Sequence, residues 1–99
     1  MALGVNDAPR VTVRLAAPLR QRAGGRAALP VAGRTVGEVL AALVAEHPGL
    51  RPRLRSPTGG LRPHILVFVN AQDVRAREGE DTPLSPGDDV FILPAVEGG

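Results

Sequence analysis

The side chains able to do chemistry are few and scattered. His47 and His64 have no nearby ligand set or nucleophile in the sequence. A catalytic triad or a metal site needs partners at defined spacing, so both histidines are read as structural. His47 falls at the expected end of a helix, where the dipole favours imidazolium, and His64 opens an expected strand. Asp88 and Asp89 are neighbours in a turn, a weak basis for acid–base work. Gly59-Gly60 is not followed by the Gly-Lys-Ser/Thr of a phosphate loop. With no cysteine there is no disulfide, no thiolate ligand and no cysteine nucleophile, a composition that fits a reducing cytosol. What remains is the end of the chain, Leu93-Pro94-Ala95-Val96-Glu97-Gly98-Gly99. Two glycines carry no Cβ, so such a tail can thread extended into a narrow channel and bring the Gly99 carboxylate to another enzyme. That carboxylate is an anion at neutral pH and a poor electrophile. An adenylyl group from ATP would convert it to a mixed anhydride with a good leaving group, open to a sulfur or nitrogen nucleophile.

The elements that must present this tail are legible in the hydropathy pattern. Val11 to Leu15 alternates apolar and polar residues, as a half-buried strand does. Gly24-Gly25 marks a turn, and Arg26 to Val31 reads as a second strand closing a hairpin. Pro30 belongs where no ladder hydrogen bond is needed, at an edge or strand end. Thr35 is a good N-cap and Glu38 completes a capping box. Val36, Val39, Leu40, Leu43 and Val44 then form one helical stripe, ended by Pro48-Gly49. Residues 48–63 hold four of the ten prolines and form a long connection, with one helical turn expected around Leu50 to Leu54. Ile65 to Val69 is an apolar strand. Asn70 to Asp73 supplies turn chemistry, and Val74 to Arg77 is expected to add a short strand. Ser85-Pro86-Gly87-Asp88 is a turn feeding the last strand, Val90 to Leu93. The order β-β-α-β-β, with one main helix on one face of a mixed sheet, is an α+β fold.

Ninety-nine residues make one small domain, 1–99, with a loose leader over 1–9 and a protruding tail over 95–99. Neither a signal peptide nor a membrane span is read from the sequence, and a cytoplasmic location is expected. The formal charge is only +2, but it is uneven. Residues 1–63 carry ten Arg against Asp7, Glu38 and Glu46, while 64–99 carry Arg75 and Arg77 against seven acids. Without Tyr or Trp to stack on bases, the scattered Arg do not read as a nucleic-acid surface.

Val69-Asn70, the Gly87-Asp88 turn before a hydrophobic strand, Leu93-Pro94 and terminal Gly98-Gly99 stand in an order that resembles the MoaD/ThiS family of ubiquitin-like sulfur carriers. The long helix-to-strand connection and Ile92-Leu93-Pro94-Ala95-Val96 look most like its CysO type. Glu97 departs from the small residue expected there. The resemblance implies a β-grasp fold and a carrier rather than an enzyme. A ubiquitin-activating-enzyme-like adenylyltransferase would activate Gly99 with ATP and Mg²⁺, and a sulfur donor would convert the adenylate to a thiocarboxylate. A separate synthase would accept the sulfur. Val96, Glu97 and Gly98 would thread the partner's channel, and the free carrier would be a monomer with no cofactor or metal of its own. Two other roles use the same tail: a modifier joined to target lysines, and the small subunit of a molybdopterin-synthase-like complex.

Partner docking needs a surface. Along the last strand Val90 and Ile92 point one way, Phe91 and Leu93 the other. Val67 and Val69 oppose Leu66, Phe68 and Asn70 in the same manner. Only one face can lie under the helix. Val67, Val69, Val90 and Ile92 are therefore expected in the core, and Phe68, Phe91 and Leu93 in an outer patch suited to a partner. Arg14 and Arg75 are expected at its rim. The competing expectation is that segment 48–63 covers the patch.

Overall fold

The structure is a computed structural model that describes residues 8–95. Of the leader expected over 1–9 and the tail expected over 95–99, residues 1–7 and 96–99 lie outside the described residues. Five strands form one mixed sheet: β1 (Arg10–Leu15), β2 (Ala28–Ala32), β3 (Ile65–Val69), β4 (Gln72–Asp73) and β5 (Asp89–Pro94). They lie in the order β2-β1-β5-β3-β4. β1 and β5 are parallel central neighbours, Val13 opposite Val90 and Leu15 opposite Ile92. The other pairings, β1 with β2, β5 with β3 and β3 with β4, are antiparallel. The main helix, α2 (Val36–Glu46), covers one face, following a short α1 (Ala17–Arg20). This is the expected β-grasp arrangement.

The helix starts where the sequence places it. Thr35 is extended, and its Oγ1 accepts a hydrogen bond from the Glu38 N–H at 3.2 Å. A cap of this kind is worth about 1 kcal/mol. The reciprocal bond of the expected capping box is displaced by one residue. Glu38 Oε1 accepts from the Arg34 N–H at 2.8 Å, because the chain enters the helix with Arg34 facing the carboxylate. Val36, Val39, Leu40 and Leu43 are fully buried, and Val44 packs at the margin. Beneath them Val11, Val13, Leu15, Val67, Val69, Val90 and Ile92 supply the sheet side of the core. At Gly33, where β2 turns toward the helix, a Cβ would stand 2.8 Å from a Val39 methyl, so the close approach requires glycine.

β2 is an edge strand, and Pro30 sits opposite Thr12. Hydrogen bonds from the Leu15 N–H to the Ala27 carbonyl and from the Gly33 N–H to the Pro9 carbonyl fix the phase of this ladder. That phase turns residue 30 outward, so the missing N–H falls on the open edge. At the far end, the Asp88 N–H donates to the Ser85 carbonyl at 3.1 Å and Gly87 has φ +84, a type II turn around Pro86-Gly87.

Two regions differ from the sequence expectation. Residues between β1 and β2 are not a plain turn. α1 and a 3₁₀ turn over Gln21–Ala23 bury Leu19 and Ala23 beside the core, and β2 starts at Ala28 rather than Arg26. The short strand expected over Val74 to Arg77 lies instead at Gln72–Asp73, because a two-residue loop at Asn70-Ala71 reverses the chain sooner. Val74–Ala76 is a 3₁₀ turn. The 48–63 connection carries the expected helical turn, α3 (Arg51–Leu54), with Leu50 and Leu54 fully buried. No helix among the described residues is long and apolar enough to cross a membrane.

Candidate functional site

β5 leads directly toward the C-terminal residues, and its alternation sorts its side chains. Val90 and Ile92 face α2 with no exposure, whereas Phe91 is 38% exposed on the opposite face. In the β3–β5 ladder Phe68 stands opposite Phe91, and Leu66 opposite Leu93. The expected outer trio is thus brought together as two cross-strand pairs with a fourth member, Leu66. The strand alternation already put Leu66 on this face. Its place in the cluster depends on the register with Leu93, which no residue type signals.

Phe68, Phe91 and Leu93 line a shallow concavity with Arg14, Asn70, Ala71 and Asp89. Segment 48–63 contributes nothing to that lining and packs elsewhere. Arg51, Arg55 and Gly59 share a different concavity with Ala41, Val44 and Ala45 of α2. Arg55 donates to both Glu80 carboxylate oxygens, at 2.7 and 2.8 Å. This bond, above all, raises the Arg55 pKa against the opposing effect of burial. The segment is fastened at the flank of the helix, and the outer patch stays open among the described residues.

The rim is half as expected. Arg14 lies at the concavity, its Nε 3.2 Å from Asp89 Oδ1, an exposed pair of small energetic worth. Arg75 does not line it. Its guanidinium turns back to Asp73, Nη2 to Oδ2 at 2.7 Å, because two residues of a tight 3₁₀ entry place the two side chains side by side. The guanidinium bonds, followed by the Arg75 backbone N–H, hold the Asp73 carboxyl below its ordinary value.

The acidic pair in the last turn has structural work. Asp88 Oδ1 accepts from Asn70 Nδ2 at 2.9 Å, and Oδ2 from the Ser85 N–H at 2.8 Å. The Asp89 N–H in turn donates to Asn70 Oδ1 at 2.9 Å. Asn70 and Asp88 therefore clamp two turns together at one end of the patch. His64 offers its backbone carbonyl to the Ala95 N–H, which extends the β3–β5 ladder to the last described residue. His47 caps α2, its N–H donating to the Leu43 carbonyl. Among the described residues no group of three or more His, Cys, Asp or Glu could hold a metal ion. Gly99, Gly98, Glu97 and Val96, the residues assigned to activation and threading, lie outside the described residues.

The arrangement is an open apolar surface beside the strand that delivers the chain terminus. Residues 13–99 match the sequence pattern of the ThiS family. The sulfur carrier protein CysO of Mycobacterium tuberculosis is 40% identical over 91 residues, 90% of this chain and 98% of its own length. The solution structure of small archaeal modifier protein 1 from Methanosarcina acetivorans superposes with a TM-score of 0.84 at 34% identity, covering 93% of this chain and 98% of that one. The crystal structure of the Amycolatopsis orientalis BexX/CysO complex gives a TM-score of 0.81 at 37% identity, over 90% of this chain and 99% of that one.

Proposed function

The chain belongs to the ThiS family, whose relatives are sulfur carriers and ubiquitin-like proteins, and from that premise we propose that it carries sulfur on the Gly99 carboxylate. The observation that carries this reading is the extent of the match, which runs from Val13 in β1 through to Gly99. The chain acts as a co-substrate of other enzymes. A Gly99 carboxylate oxygen attacks the α-phosphorus of ATP on a ubiquitin-activating-enzyme-like adenylyltransferase. The bond between the α and β phosphates breaks, and pyrophosphate leaves with Mg²⁺ balancing its charge. Hydrosulfide from a separate donor then adds to the carbonyl carbon, AMP departs, and the thioacid loses its proton to give a thiocarboxylate. The sulfur is now nucleophilic and bonds to an acceptor held by a separate synthase; water then cleaves the acyl C–S bond, leaving the sulfur on the acceptor and restoring the Gly99 carboxylate.

The outer patch gives the activating enzyme its purchase. Gly99 is six residues beyond Leu93, at most about 22 Å of extended chain. An enzyme that holds Gly99 in its active site therefore lies within reach of Phe68, Phe91 and Leu93. The complex of a similar CysO with BexX supports protein docking as the mode of action.

A second reading is favoured by the likeness to a small archaeal modifier protein. The same acyl adenylate can be attacked by a lysine amine to form an isopeptide bond. With no lysine of its own, this chain would be joined to targets without building side-chain-linked chains of itself.

Exchange of labelled pyrophosphate into ATP by the adenylyltransferase tests the shared first step. The full chain should support exchange, and a chain lacking Gly99 should abolish it while keeping its far-ultraviolet dichroism. Exchange undiminished by the truncation would show that another group is activated.

A further inference from the structure

Asn70 and Ala71 both have positive φ, +49 and +73, and are the non-glycine residues in that region among those described. They close the hairpin between Val69 and Gln72, a two-residue loop. A loop with positive φ at both positions is type I′, which takes Asn readily at the first and Gly by preference at the second. Asn70 has a reason to be there, since its amide clamps Asp88 and the Asp89 N–H. Ala71 has none within the fold. Its methyl is exposed, makes no hydrogen bond, and imposes a steric cost in this backbone region that glycine avoids. What Ala71 does is line the outer concavity, with Phe68, Phe91, Asn70 and Asp89. A strained residue persisting on an open surface points from the outlier to a function.

We propose that the Ala71 methyl is a specificity contact of the docking surface, seating an aliphatic side chain of the adenylylating partner. This rests on the reading that the outer patch docks that enzyme. The occupant is aliphatic because Phe68, Phe91 and Leu93 make the floor apolar, while at the rim Arg14 pairs with Asp89 and the Asp88 carboxylate accepts from the Asn70 amide. It belongs to the adenylylating enzyme because β5 runs from Phe91 through Leu93 toward the group that enzyme takes.

The test pairs Ala71→Gly with Phe91→Ala in the pyrophosphate-exchange assay, alongside thermal unfolding. Ala71→Gly should raise the melting temperature by about 4 °C or more through relief of the turn. It should also raise the KM for the carrier about threefold, the worth of one buried methyl, with kcat unchanged. A loop that matters only to folding would move the melting temperature and leave KM alone. If Ala71→Gly leaves KM unchanged while Phe91→Ala raises it, the Ala71 contact is refuted and the docking patch stands. If neither variant moves KM, the docking patch itself is refuted and the contact with it. A melting temperature that fails to rise removes the strain on which the inference depends.

Discussion

The two faces of the sheet are made from the same strands and differ by one residue step. Toward α2, β3 and β5 present Val67, Val69, Val90 and Ile92, each no more than 1% exposed. Away from it they present Leu66, Phe68, Phe91 and Leu93, equally apolar, with Phe91 left 38% exposed. The inner set is accounted for by packing, since a helix stripe of matching composition covers it. The outer set includes both aromatics of a chain that has only two. A face spared the task of packing that still concentrates the largest apolar side chains fits the docking role proposed for it.

The sharpest way to break this comparison is to truncate neighbours along β5. Ile92→Ala should lose about 2–5 kcal/mol of unfolding free energy, the range for a fully buried aliphatic side chain. Phe91→Ala removes a larger side chain yet should lose less, about 1–2 kcal/mol, because 38% of it is already in water. Urea denaturation of both variants reads the contrast. Equal losses would mean that the outer face packs against something and that the patch is core. Partner binding should invert the ranking. Phe91→Ala should raise the activating enzyme's KM about tenfold, as a central aromatic contact does.

A smaller effect separates the site from its surroundings. The Asp73 carboxyl is held below its ordinary value first by the side-chain bond from Arg75 and next by the Arg75 N–H. A depressed folded-state pKa contributes stability that is present above the unfolded value, about 3.9, and is lost as pH falls through the folded value. Asp73→Asn should therefore unfold with a weaker acid dependence below about pH 4 and leave activation unchanged. The Arg75 guanidinium is exposed to solvent, so the difference is small and needs paired melts at pH 3 and pH 7. An effect on KM would draw Arg75 back into the docking rim, where the structure does not put it.

Much of this molecule was legible from periodicity. Alternation along Val11 to Leu15, Ile65 to Val69 and Val90 to Leu93 sorted inner from outer residues correctly, because one buried face fixes the phase of a strand. Thr35, Glu38 and the stripe from Val36 to Val44 located the helix because cap and pattern agree. The segment between β1 and β2 was not legible as helix. Its burial rests on Leu19 and Ala23 alone in an arginine-rich stretch, too short for a period to register, though Pro18 at a helix start and the four-residue spacing were signals. The β4 position was missed because Ala71 is an unlikely residue for the turn it occupies. For the site, the outer trio could be read from the strands, whereas Leu66 required the register and the open surface required the path of segment 48–63. That path is set by Leu50, Leu54 and the Arg55–Glu80 pair, a contact between residues far apart in sequence.

The central claim is that the chain carries sulfur on its terminal carboxylate. The most direct measurement is the mass of the isolated C-terminal peptide after incubation with the adenylyltransferase, ATP and a sulfide source. Isolation matters because oxidation of Met1 shifts the intact mass almost equally. The account predicts the mass gain of one oxygen-to-sulfur exchange, placed by fragmentation on Gly99. An unchanged peptide from an enzyme that demonstrably adenylylates the chain would contradict it and leave the modifier role as the fate of the activated terminus.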